Sequence, residues 1–193
     1  VGTDPADQTV AMTNVGVSGF TWTNQITYGA GASGWLTITP TGGTVALAGA
    51  TVFTNAASVS GLNAGTFWAT NTIYAADATN APQTYAVRIV VAQAAQGINF
   101  PNPGAQLTTN VTGLAATSTS GLAVAFTVLS GPATLSGGTN LTYSTDGTVE
   151  IVASQAGNSN WLAAASVTQS FAVAKTPQAA LTFAPTTPQT FGT

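Results

Sequence analysis

The chain has 193 residues, of which 45% are hydrophobic and 4% charged, with a formal net charge of −3, two basic residues (Arg88 and Lys175) and neither His nor Cys; in an ordinary globular domain about a quarter of residues are charged. Two cations cannot neutralise a run of phosphates or hold an anionic bilayer, which excludes electrostatic nucleic-acid binding and a polybasic membrane anchor. No apolar run approaches the ~20 residues of a membrane-spanning helix, no signal-peptide pattern is present, and no disulfide framework is possible without Cys.

The chain opens on "TDPAD" (3–7), two carboxylates near the N-terminus that read better as a solvated turn than as a calcium site, because no Asp-x-Asp-x-Asp-Gly loop is present. Phe20 and Trp22 alternate in "FTWTN", as on the inward face of a strand. Turn chemistry follows at "TPTGGT" (39–44) and "VSGLNAGT" (59–66). In "TFWATNTIY" (66–74), period two sets Phe67, Ala69, Asn71 and Ile73 on one face and Trp68, Thr70, Thr72 and Tyr74 on the other. Asn71 fits a core face badly, and implies a bulge or a wrong register in mid-strand. "VRIVVA" (87–92) is β-branched and bounded by "VAQAAQG" (91–97), which reads as a linker between strands rather than a helix.

A second set of strands and turns begins at "INFPNP" (98–103). It continues through "AVAFTVLS" (123–130), "TVEIVASQ" (148–155) and "VTQSFAVA" (167–174), with turns at "LSGPAT", "LSGGTN", "STDGT" and "QAGNSN". The spacing of about 8–12 residues suits sandwich strands joined by tight connections. Composition breaks near Ala92–Gln96 and Ala174–Pro177 divide the chain into residues 1–92, 93–175 and 176–193. The final "AALTFAPTTPQTFGT" repeats the way the second module opens: Leu181-x-Phe183 matches Ile98-x-Phe100, and prolines follow.

The first module is similar to the BACON-type immunoglobulin-like domains of bacterial secreted and surface proteins. Trp22, the "GWL" at Trp35–Leu36, Pro40, Gly43, Leu62, Gly65, Thr66, Pro82, Gln83 and Val87 carry the likeness. The second resembles the immunoglobulin-like repeats of large bacterial adhesins through "INFPNP", "SGLAVAFTVLSGPATLSG" (120–137) and "GTVEIVASQAGNSNWLAAASVTQSFAV" (147–173). Ala123 stands where that family commonly has Pro, and Trp161 where it has Tyr. These resemblances imply an all-β fold: two tandem immunoglobulin-like β-sandwiches plus a C-terminal extended strand. The BACON likeness also implies a carbohydrate-binding role.

Catalytic equipment is missing from the sequence. General acid–base work at neutral pH calls for His or a tuned carboxylate pair; the available pair, Asp146 and Glu150, reads as a turn Asp and a strand-face Glu. Lys175, the single Lys, sits at a module boundary, a poor place for an intramolecular isopeptide bond. The chain is therefore expected not to be an enzyme, and no cofactor or metal is expected. Trp22 belongs to a core, Trp35 caps the sandwich, and Trp161 packs beside Leu162. Trp68, with Tyr74 along the same outward face, is the candidate contact, whether with a sugar, a neighbouring subunit or an adjoining domain, or with nothing. Asn110-Val111-Thr112 and Asn140-Leu141-Thr142 match the N-glycosylation triplet.

An orphan strand invites pairing with another chain. The expected function is an extracellular structural protein, the repeating subunit of a surface filament. Leu181, Phe183 and Phe191 would lie on the strand added to a neighbour's sheet. The expected partners are further copies of the chain. The alternative is a carbohydrate-binding or adhesive module, or spacer repeats, of a larger secreted surface protein, with glycans as partners.

Overall fold

The computed structural model describes residues 2–181 and has strands but no helix among them. The described residues fall into two compact units, one of residues 2–96 with 156–164 and one of residues 97–155 with 165–181.

Seven strands build the first unit: β1 Gln8–Thr13, β2 Phe20–Tyr28, β3 Leu36–Thr39, β4 Gly42–Val45, β5 Ala50–Ala57, β6 Gly65–Tyr74 and β7 Gln83–Val91. They form two antiparallel sheets, ordered β1-β5-β3 and β4-β2-β6-β7. Pro40 lacks an N–H and cannot continue a ladder. The chain leaves the first sheet there, through a cis Thr39–Pro40 bond, and enters the second at Gly42. Alternate side chains of both sheets make the core. Trp22 meets Phe53 edge-on at 4.8 Å between ring centroids, and Trp35 meets Tyr28 at 5.8 Å. The Tyr28 hydroxyl donates to the Leu36 carbonyl at 3.0 Å, so its polar end is satisfied. Each large apolar side chain fully buried in this way contributes about 1.5–3 kcal/mol. Trp35 is a member of this core rather than its cap.

The alternation read in β6 holds: Ala69, Asn71 and Ile73 are buried and Trp68 and Tyr74 exposed. Asn71 marks neither a bulge nor a register error. Its pairings with Ile26 and Tyr85 lie in uninterrupted ladders, and its side chain is fully buried with neither amide atom hydrogen-bonded. Neighbouring Asn55 is buried but satisfied, donating to the Gln8 carbonyl at 3.3 Å and accepting from the Tyr85 hydroxyl at 2.8 Å. Residues 156–164 also belong to this unit. The Ala94 N–H donates to the Asn160 carbonyl, the Leu162 N–H donates to the Ala94 carbonyl, and the Ala64 N–H donates to Asn160 Oδ1. Trp161 bridges to Ala94 there, and Leu162 stays half-exposed.

The second unit contains β8 Ile98–Asn99, β9 Gln106–Leu107, β10 Thr112–Gly113, β11 Thr117–Ser118, β12 Ala125–Ser130, β13 Ala133–Ser136, β14 Asn140–Tyr143, β15 Gly147–Ser154 and β16 Val167–Ala174. The sheet β12-β15-β16-β9 is antiparallel except where β9 joins β16 in parallel. A second sheet runs β10-β14-β13, and β8 pairs with β11. Leu141, Val149, Ile151 and Ala153 are fully buried between them.

Both units share one plan. The order β1-β5-β3 matches β10-β14-β13, and β2-β6-β7 matches β12-β15-β16. These are the B-E-D and C-F-G arrangements of an immunoglobulin-like sandwich. They differ ahead of the B strand: the second unit carries β8 and β9 there, and among the described residues of the first unit no strand precedes β1.

Candidate functional site

The outer face of β4-β2-β6-β7 carries the aromatic candidates. Trp68 lies across from Arg88, whose guanidinium carbon sits 5.7 Å from the indole centroid, and the Trp68 side chain is still 52% exposed. Tyr74 lies opposite Thr23 and its hydroxyl donates to Gln25 Oε1 at 3.4 Å. The strip between them is threonine-rich, with Thr70 opposite Thr27 and Thr72 between Gln25 and Thr84. The two aromatics are six residues apart on one strand, about 20 Å at the usual rise. They cannot clamp one ring between them; each is a separate contact point.

A second surface was not legible in the sequence. A groove of about 710 Å³ opens in the first unit along β1 and the β6–β7 connection. Val10, Met12, Phe20, Phe53, Ile73 and Ala75 give it an apolar lining, and Asp77 is the one charged residue on it. At its rim the 14–18 loop is pinned by buried Asn14. Its Nδ2 donates to the Ser18 carbonyl at 2.8 Å and to the Ala46 carbonyl at 2.9 Å, and its Oδ1 accepts from the Gly16 N–H at 2.9 Å. Held in this way, the loop presents Val15 and Val17 at 93% and 95% exposure. The available signal was "NVGVSG", two valines separated by Gly after an Asn that can close an Asx-turn.

The other sequence candidates do not converge. Asp4 is more than a solvated turn residue, because its carboxylate accepts from the Val59 N–H at 2.7 Å and from Ser58 Oγ at 3.2 Å. Asp146 sits in the β14–β15 turn, 3.4 Å from Lys175 Nζ. The Thr145 hydroxyl, then its own backbone N–H and Lys175, hold its carboxyl below the usual carboxylate range. Glu150, on β15, accepts from Ser130 Oγ at 2.8 Å. Among the described residues there is no cluster of three or more metal-ligating side chains, and no helix is long and apolar enough to cross a membrane. Asn140 opens β14 with its side chain exposed, whereas Asn110 is half-buried and donates to Gln106 Oε1 at 2.9 Å. Leu181 is 94% exposed. Phe183 and Phe191 lie outside the described residues.

The fold class is all-β, of the immunoglobulin-like sandwich type. No protein-family model matches the sequence, and no curated protein matches it. Solved structures to which the chain shows a distant likeness include the periplasmic chaperone SfaE, with a TM-score of 0.34, 13% identity, and 88% of this chain and 92% of that one covered. Human protocadherin-24 EC1-2 gives a TM-score of 0.34 at 16% identity, covering 81% and 83%. The CsuC-CsuE chaperone–tip adhesion subunit pre-assembly complex from Csu pili of Acinetobacter baumannii gives 0.35 at 7%, covering 89% and 92%. Likenesses this distant carry nothing about function, which has to be read from the chain's own geometry.

Proposed function

We propose that this chain is a structural protein of an extracellular surface, the repeating subunit of a filament whose immunoglobulin-like units are joined by strand addition. One observation carries the reading. Leu181 follows Ala174, the last residue of β16, at the same interval as Ile98 follows Val91, the last residue of β7. In the second unit the segment so placed becomes a first strand, with Ile98 paired to Ser118 and Phe100 buried. The chain thus carries the sequence of a first strand again at 181–183, and a unit can take such a strand from another copy. Head-to-tail addition does not close on itself and yields a fibre. The nearly uncharged surface suits this role, because copies can pack without burying unpaired ions.

Deleting residues 179–193 tests the reading. The expected product is folded and monomeric by light scattering, without filaments in electron micrographs; filaments that persist after the deletion would sink it.

The same interval favours a second reading, in which Leu181 opens a further repeat of the same polypeptide. The chain would then be a spacer or adhesive stretch of a larger surface protein, akin to BACON-type domains and adhesin repeats. The intact mass of the native protein separates the two: a value well above 19.1 kDa supports the longer protein.

A further inference from the structure

We infer that the groove on the first unit is the acceptor for the strand at residues 179–191 of a second copy. The inference rests on the strand-addition reading and names its receiving site.

Among the described residues, the second unit has a segment ahead of its B strand with no counterpart in the first. In the second unit the segment 98–107 precedes the B strand and lies along β16: Asn102 Nδ2 donates to the Ser170 carbonyl at 2.9 Å, and β9 then pairs with Val173 and Ala174. The segment inserts Phe100 into the core, its ring 5.2 Å from that of Phe126. Phe126 lies near the start of β12, opposite Ala153, which is itself opposite Val167 at the start of β16. The first unit has the matching strand ends: Phe20 starts β2, and Ile73, near the end of β6, pairs with Gln83 at the start of β7. Among the described residues, however, no strand corresponds to the 98–107 segment, and the groove lies at that place, with Phe20, Ile73 and Gln83 on its wall.

The edge beside the groove is open to pairing. β1 is hydrogen-bonded to β5 on one side and is the last strand of its sheet on the other. Edge strands are normally blunted by a charge, a proline or a bulge. β1 reads "QTVAMT" and has none of these, and its pairing with β5 runs without a register shift. An occupant therefore has to supply backbone N–H and C=O groups to β1 and apolar side chains on alternate positions to the floor. Apart from Asp77 the lining is uncharged, so an uncharged strand can fill it without bringing in an unpaired ion. Residues 179–191, "AALTFAPTTPQTF", contain no charge and start with the alternation Leu181-x-Phe183 that the second unit uses to fill the equivalent place. The first unit lacks a first strand among its described residues, and 181–183 is a first-strand sequence beyond the two units' own strands.

The absence of native Cys makes disulfide trapping clean. Full-length chain carrying Thr13→Cys, on the groove rim, is mixed with full-length chain carrying Thr182→Cys, which leaves Leu181 and Phe183 in place, and oxidised mildly. Asp77→Cys provides a second groove position, and Thr145→Cys, on an exposed turn of the second unit, is the control. Docking should make the mixed dimer form about tenfold or more faster with the groove positions than with the control, because bound strand and groove share a high effective concentration. Hydrogen exchange of residues 8–13 should slow as protein concentration rises. Equal trapping rates at all three positions would overturn the acceptor site. If trapping is equal but filaments still depend on residues 179–193, strand addition stands and this acceptor falls; if neither trapping nor filaments are seen, both fall.

Discussion

Asn71 shows how one side chain can conflict with its neighbours' chemistry. It sits on a face otherwise made of Phe67, Ala69 and Ile73, fully buried, with both amide atoms unpartnered. A buried polar atom without a hydrogen bond costs about 1–3 kcal/mol, whereas an apolar group of similar shape has no such cost. Asn71→Leu is therefore expected to stabilise the first unit by about 1–3 kcal/mol, read as a higher urea midpoint; a lower midpoint would show that the amide is satisfied in solution. Trp68 is the opposite case, an apolar side chain left in solvent with Arg88 over its ring. An exposed cation–π contact contributes about 0.5–1 kcal/mol, so Trp68→Ala should cost no more than that in thermal unfolding. If Trp68 is a sugar platform, the variant loses capture on immobilised glycans while assembly persists; unchanged capture rules that role out.

At the scale of elements, turns were the most legible feature. "LSGPAT" reads as a turn, and it connects β12 to β13 through Gly131 at φ +96°. A Cβ at Gly131 would collide with the Thr148 carbonyl and lie 2.7 Å from Val149 Cα, both backbone atoms that cannot swing away. Gly131→Ala should therefore destabilise the second unit by about 2–4 kcal/mol, measured by denaturant unfolding; a loss within about 0.5 kcal/mol would mean the β12–β13 turn is free to move. The long strands β6, β7, β15 and β16 were visible because alternation persists over enough residues to stand out. The two-residue strands β9 to β11 were not, since pairing that short is decided by what lies opposite, whereas β8 was read from the Ile98-x-Phe100 alternation. The 14–18 loop escaped notice for the same reason. Asn14 pins it through Ala46, 32 positions away, and no local pattern records that bond.

For the whole molecule, scarcity of charge sets the response to solvent. Among the described residues Lys175–Asp146 is the one ion pair, and both side chains are largely exposed, so it contributes little. Raising sodium chloride from about 0.05 to 0.5 M should move the melting temperature by less than about 2 °C. The Asp146 carboxyl titrates below its unfolded value. Its contribution is thus present above the unfolded pKa and is lost only as pH falls through the lower folded one. Stability should stay level from neutral pH down to about pH 4, and Asp146→Asn should lessen the decline below that; a steep loss near pH 6 would contradict this picture.

By itself the sequence determined the all-β class, the alternation in each long strand, the outward placement of Trp68 and Tyr74, and the recurrence of a first-strand sequence at Leu181. These are local properties, written in period-two patterning and turn chemistry. Only the tertiary structure decided that residues 156–164 join the first unit, that Asn71 is buried without partners, and that a groove lies beside the edge strand β1. Each of these depends on groups brought together from distant parts of the chain. An unpaired edge and an unfilled space leave no mark in local patterning; they show only once the sheets are assembled.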